Sequence, residues 1–521
     1  MSARPRRVLM LGLDSADAEL IERWSDDGHL PTFARLRREG AWHRLGTTAE
    51  VMHVSAWPSI YTGTTPGRHG LYHAYQVRAG DQRIQRTVAE WCARPPFWKF
   101  LDDAGRRCIV FDAFMDFRLP DFKGVQILEY GTWTWFSEPW SSPRGLYQEI
   151  VKRFGPYPAP EHSRQVTIPD QLWFREKLLE AARVKSQATR WLLAEHPWDL
   201  AFVTFGEPHA GGHYLWHSGD PHYPLQPPGG ARGAAHPLRD VYAAVDEAIG
   251  EIVATLDDRT TLLITSGDGM GPNYSGSHLM PELLHKLGLF FAPSVARSGK
   301  EAARAPKKGL SSALRGMIPL SVRQSITRCL PRSVRYQLNT KWMNVDIDWP
   351  RTRAFCIPNS NEGYFRINLE GREPRGNVAP GAAYGQLLGS LRAELDGLVN
   401  PANGRRCAHR VHVMDETFEG PERQHLPDVV ISWDFDAEVL DRVQGPSSGP
   451  ISGQRGYETP AYYTGNHRPN AFLLACGPGA AGGSIEGGSI EGGHIVDIAP
   501  TILAMLDVDP PRHFEGRALF T

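Results

Sequence analysis

The chain has 521 residues, 41% of them hydrophobic and 22% charged, with a formal net charge of −1. That length can hold a large core and more than one domain, and the composition is that of a soluble globular protein. The near-neutral balance excludes the global positive field of a nucleic-acid polymer binder, so any anion recognition must be local.

Six cysteines, Cys92, Cys108, Cys329, Cys356, Cys407 and Cys476, form no Cys-x-x-Cys pair and no disulfide framework. Their scatter points to a reducing compartment. The apolar run at 8–13 is too short for a signal-peptide core, and no stretch approaches the ~20 apolar residues of a membrane span. The expectation is a cytoplasmic protein without a transmembrane segment; its oligomeric state is not legible.

In chain order, residues 8–13 predict a buried parallel strand. Helices follow at 18–24 and 29–40, the second with Leu30, Phe33 and Leu36 at helical spacing and a stop at Gly40. Residues 107–112 read as a buried strand and 171–195 as a long amphipathic helix ended by Pro197. A strand at 199–205 leads into Glu207, a helix covers 238–256, and a strand at 260–265 leads into Asp268. A further strand is expected at 471–475. This alternation predicts an α/β fold with a mostly parallel central sheet and helices on both faces. Ligands of such sheets sit off the carboxyl ends of the strands. Asp14, Glu207 and Asp268, each just past a predicted strand, should therefore converge on one edge.

Residues 284–349 break this rhythm with many Lys and Arg, from Lys300 and Arg304 through Arg332 and Arg335. They predict a basic helical insertion or cap between core parts at 1–283 and 350–521. It reads as a solvated excursion, or more sharply as a basic lid for an anionic substrate or a surface for anionic lipid. The tandem repeat at 482–491 is short and glycine-rich, and reads as an expanded loop.

Five segments carry chemistry. Gly12-Leu13-Asp14-Ser15 and Ser266-Gly267-Asp268-Gly269-Met270 each offer a carboxylate after a strand; each Asp could equally cap the next turn. Glu207-Pro208-His209 through His213 and His217 packs a carboxylate and three imidazoles into eleven residues. Metal ligation is the better reading there, with His217 at the surface or behind the ligands. Ser55 stands before Ala56-Trp57-Pro58-Ser59, where a serine can cap a helix or hold a phosphate against free amides. His467, in the polar stretch Tyr463–Pro469, is balanced between a ligand and a solvated loop residue.

In this order the segments resemble the alkaline phosphatase superfamily, and within it the type I phosphodiesterase/nucleotide pyrophosphatase branch. Gly12-Leu13-Asp14 is similar to the first metal-binding strand end. Trp57 to Thr62-Gly63, with Pro66, His69 and Gly70, is similar to the nucleophile helix and its exit. Glu207–His213 resembles the Asp-x-x-x-His motif, Ser266–Met270 resembles Ser-Asp-His-Gly-Met, and Gly465-Asn466-His467 resembles the late histidine ligand. Residues 365–374, 497–503 and Glu515-Gly516-Arg517 match in style. The resemblance implies one or two divalent ions, zinc first and manganese or iron as alternatives. Asp14, Ser55 and Asp268 would face one ion; Glu207 or His209, with His213 and His467, would face the other.

It further implies hydrolysis of a small-molecule phosphate ester through a covalent Ser55 phosphoenzyme. The alternatives are a phosphotransferase on the same scaffold and a non-catalytic binding protein on a decayed one. The sequence departs from the family pattern in three places. His53, not Ser55, falls at the nucleophile's count from Thr62-Gly63. His209 replaces an Asp, and Gly267-Asp268 replaces Asp-His.

Overall fold

A computed structural model describes residues 7–131, 138–159, 168–219, 236–292, 344, 347–453, 463–478 and 493–520. The basic stretch 300–335 and the repeat at 482–491 lie outside the described residues.

The main sheet has eight strands in the order Ala41–Leu45, Ala471–Cys476, Thr260–Ser266, Arg7–Leu13, Leu200–Phe205, Cys108–Phe111, Val125–Leu128 and Trp140–Ser142. The pairings from Thr260–Ser266 across to Val125–Leu128 are parallel. Ala471–Cys476 and Trp140–Ser142 pair antiparallel at either flank. All the strands foreseen from the sequence are present, and the predicted α/β class with a mostly parallel sheet holds.

Alternation along Arg7–Leu13 sends Leu9, Leu11 and Leu13 to one face, and Val8 and Met10 to the other. The first face packs against helices Ala18–Asp26, Pro31–Glu39, Ile168–Glu195 and Pro237–Val253 through residues such as Ile21, Phe33, Leu178 and Val241. The second packs against Ala56–Thr62, Phe97–Asp103 and Ile498–Met505 through Ile60, Trp98 and Ile502. Both faces are thus sealed, as continuous apolar strands require.

Register positions the functional edge. Leu13 pairs with Phe205, and Gly12 with Thr204 and Thr265. Three strands therefore end level, and Asp14, Gly206 and Gly267 leave the sheet side by side. The amide of Asp14 donates to Phe205 O (2.9 Å) across this edge.

A second, antiparallel sheet, in the order Ala354–Ile357, Gly363–Ile367, Val429–Trp433 and Ala408–Val413, has its own core with helix Ala382–Asp396. A short ribbon joins Gly269–Pro272 to Gly465–Arg468, with Met270 opposite His467. The sequence reads residues 463–469 as a polar loop. Pairing with the strand after Asp268 makes Gly465–Arg468 extended instead, and Gly465, Asn466 and His467 are buried. Among the described residues no helix is long and apolar enough to cross a membrane.

Candidate metal centre and active site

Asp14 is 3% exposed and turns into the molecule at the end of its strand. The following residue, Ser15, adopts a left-handed conformation (φ 49°) that a serine takes only when its surroundings enforce it. The cap of the next helix is supplied not by Asp14 but by Asp17, whose carboxylate accepts from Leu20 N (3.1 Å). Asp14 is thereby free for the site. Its Oδ1 accepts from the Trp57 indole N–H (2.7 Å), and its Oδ2 lies 3.0 Å from His209 Nδ1. The indole can cover the strand end because Gly12 lacks a side chain; a Cβ there would sit 2.6 Å from the Trp57 ring.

After strand Leu200–Phe205 the chain goes directly into helix Glu207–Leu215. Pro208 suits a first helical turn, where its missing N–H has no partner to lose. Helical spacing then puts His209 and His213 on one face, one turn apart. Their Nε2 atoms are 2.8 Å apart. His213 Nδ1 donates to Gly465 O (2.9 Å), and its ring stacks on Tyr463 at 3.8 Å, so the Nε2 lone pair is aimed at His209.

The ribbon delivers the third imidazole. His467 Nδ1 hydrogen-bonds Asp268 Oδ2 (2.7 Å) and lies 3.2 Å from Ser15 Oγ. Arg468 anchors the ribbon by donating to both oxygens of Asp17 (2.7 and 2.8 Å). Burial, and then the neighbouring His53, His213 and His209, hold the His467 ring well below its ordinary pKa. Burial, and then the charge of Asp14, push the Asp268 carboxyl well up.

One nitrogen from each of His209, His213 and His467 lies within 4.8 Å of the others. Two imidazole nitrogens face each other at contact distance, one ring is kept neutral, and carboxylates stand alongside. This donor set fits a zinc-like divalent ion, which would take the place of the proton shared between His209 and His213. The structure thus brings together five residues named from the sequence: Asp14, His209, His213, Asp268 and His467.

Two other sequence candidates point elsewhere. Glu207 is fully buried and takes a hydrogen bond from Tyr157 OH (2.8 Å), on the side of the Lys185–Asp112 pair; burial raises its pKa. Among the described residues it joins no metal-ligating group. Ser55 precedes helix Ala56–Thr62 as foreseen, but makes no capping bond. Its Oγ lies 2.6 Å from Met52 O and 2.8 Å from Thr48 Oγ1. His217 is buried behind the site, bonded to Thr464 Oγ1 and Gln171 Oε1 (3.0 Å each).

Sequence reasoning missed Glu362. It precedes strand Gly363–Ile367 of the second sheet, with no spacing signal around it. It holds His53, whose ring stacks on His467 with centroids 4.1 Å apart.

The fold is alkaline-phosphatase-like, with imidazoles and carboxylates gathered at the carboxyl edge of a mostly parallel sheet. The family model of type I phosphodiesterase / nucleotide pyrophosphatase matches residues 8–458, and the chain belongs to that family. It is thus a phosphoryl hydrolase of the phosphodiesterase/pyrophosphatase family, within the alkaline phosphatase superfamily.

Among solved structures, phosphonoacetate hydrolase from Sinorhizobium meliloti bound to phosphonoacetate is similar, with 13% identity, 97% of each chain covered and a TM-score of 0.52. Murine ectonucleotide pyrophosphatase / phosphodiesterase 5 in complex with AMP is 14% identical over 98% of this chain and 96% of its own, at TM-score 0.45. The alkaline phosphatase PafA is 11% identical over 100% and 99%, at 0.49. A search of the curated proteins finds no match.

Proposed function

We propose that the protein is a metal-dependent hydrolase of a small phosphate ester, of phosphodiester or pyrophosphate type. The observation that carries this reading is the group of imidazole nitrogens from His209, His213 and His467 within 4.8 Å at the carboxyl edge of the sheet. These three would hold the ion, with Asp14 and Asp268 beside it. Zinc suits a site so rich in imidazole, whereas manganese favours more oxygen donors. When bound, the ion would polarise the phosphoryl oxygens and offset charge building there.

The chain's own part is orientation. Gly465 O fixes the His213 ring, Asp268 fixes the His467 ring, and Trp57 holds Asp14. The phosphoryl acceptor is proposed to lie in the turn His53–Ser55, at the start of helix Ala56–Thr62.

The test is hydrolysis of bis(p-nitrophenyl) phosphate and of p-nitrophenyl phosphate by the purified protein. Turnover that a chelator abolishes and zinc restores supports the reading. Chelator-resistant turnover, or none after metal loading, overturns it.

A further inference from the structure

We propose that His53, and not Ser55, is the catalytic nucleophile that takes the phosphoryl group, on Nε2. This rests on reading the site as a phosphoesterase.

The ring's placement comes first. His53 lies in a single turn, His53–Ser55, and is 8% exposed. It stacks on His467 at an interplanar angle of 24°. It therefore stands against the imidazole group without joining it: among the described residues, that group contains only His209, His213 and His467.

The ring is also oriented. Glu362 Oε1 accepts from the His53 amide (3.0 Å), and His53 Nδ1 donates to the same carboxylate (2.9 Å to Oε2, 3.1 Å to Oε1). When Nδ1 carries the ring's one proton, the lone pair lies at Nε2. Among the described residues every side-chain hydrogen bond of His53 goes through Nδ1, which leaves Nε2 for a substrate. Glu362 is itself held by Asn359 Nδ2 (2.8 Å), Asn361 Nδ2 (3.1 Å) and Tyr364 OH (3.0 Å). A carboxylate fixed behind the imidazole selects this tautomer and offsets the positive charge that develops when Nε2 forms a bond.

Ser55 is placed differently. Leu71 N donates to His69 Nδ1 (3.1 Å), so the His69 proton sits on Nε2 and is directed to Ser59 Oγ (3.0 Å). Ser59 Oγ neighbours Thr48 Oγ1 (3.3 Å), which in turn neighbours Ser55. This chain of hydroxyls ends with Ser55 directed to the Met52 carbonyl at 2.6 Å. Its proton is committed to backbone, and His69, at the far end of these hydroxyls, acts as a donor and not as a base.

The step balances simply. The Nε2 lone pair attacks phosphorus; the N–P bond forms as the P–O bond to the leaving group breaks. The leaving oxygen keeps the electron pair and takes a proton from solvent. Water then attacks phosphorus, the N–P bond breaks with its electrons returning to Nε2, and the water's surplus proton leaves to solvent. One water is consumed, and an alcohol and a phosphate are released.

The experiment is acid and alkali quenching of the zinc-loaded full-length enzyme with 32P-labelled p-nitrophenyl phosphate, followed by peptide mapping. The expected result is a label that survives alkali, is lost in acid, and maps to position 53. Ser55→Ala should keep that label. His53→Ala should lose it while keeping the wild-type zinc content, and His53→Gly should regain nitrophenol release with added imidazole. Glu362→Gln should slow labelling ~10²-fold without loss of zinc, the effect of removing a partner that orients a histidine.

An acid-stable, alkali-labile label on Ser55 overturns the inference. So does loss of zinc from His53→Ala, which would make His53 a ligand. Turnover without label at His53 overturns it while leaving the phosphoesterase reading intact; absence of any turnover overturns both.

Discussion

The close approach of the ribbon to the histidine helix yields the sharpest structural prediction. A Cβ built on Gly465 would lie 2.0 Å from Gly212 O and 2.9 Å from Trp216 Cβ. Carbon and oxygen atoms normally meet no closer than about 3.3–3.5 Å, so Gly465→Ala forces ribbon and helix apart by ~1 Å or more. The obstruction is backbone and cannot rotate away. Overpacking of this kind costs roughly 1–3 kcal/mol.

The same movement stretches the bond by which His213 Nδ1 donates to Gly465 O, and shifts His467 two residues on. Removing the partner that orients a metal-binding imidazole weakens metal affinity ~10–100-fold. Both quantities are measurable in one preparation, by urea denaturation and by competitive zinc titration. Gly389→Ala serves as control: it lies in helix Ala382–Asp396 with nothing within 4 Å of the added Cβ. It should stabilise by about 0.5–1 kcal/mol, the gain of Ala over Gly in a helix, with zinc affinity unchanged. A Gly465→Ala protein with wild-type stability and wild-type zinc affinity would refute the packing argument.

Three further outcomes follow from the site. Trp57→Phe removes the N–H that donates to Asp14 Oδ1 at 2.7 Å; a lost bond to a charged acceptor should cost ~1.5–3 kcal/mol in urea denaturation. Glu207→Gln should leave divalent-metal content unchanged, because the carboxyl faces Tyr157 and not the imidazoles; loss of metal would return Glu207 to the ligand set. Burial holds His69 at about 3 and, with the charge of His53, His73 at about 4. Their unfolded pKa is ~6.5, so on acidification the unfolded chain takes up these protons first. Stability from their neutral burial is therefore full above pH ~6.5 and drains as pH falls toward their folded values, by up to ~1.4 kcal/mol per pH unit for each. Urea midpoints between pH 7 and 4.5 should show this slope, reduced in His69→Gln; a flat profile would contradict it.

The sheet was legible because its strands are unbroken apolar runs, and so was the edge where Asp14, His209, His213 and Asp268 meet. The spacing of His209 and His213 already encodes one helical face. What failed to show was direction. Asp14 and Asp17 both follow the first strand, and only the left-handed turn at Ser15 decides that Asp17 caps the helix while Asp14 enters the site. Ser55 stands at a helix start as foreseen, yet its rotamer sends the hydroxyl to Met52. His467 looked like a loop residue because its pairing partner is the strand after Asp268, far away in sequence. Glu362 meets His53 across a separation of 309 residues and belongs to an antiparallel sheet that the strand–helix alternation does not announce.

The central claim is that His209, His213 and His467 form a metal centre. Elemental analysis of the purified protein, beside the variant carrying alanine at all three positions, tests it most directly. The expected result is one or two equivalents of divalent metal in the wild type and none at this centre in the folded variant. Equal metal content in the two proteins, or a wild type that hydrolyses phosphodiesters while metal-free, would contradict it.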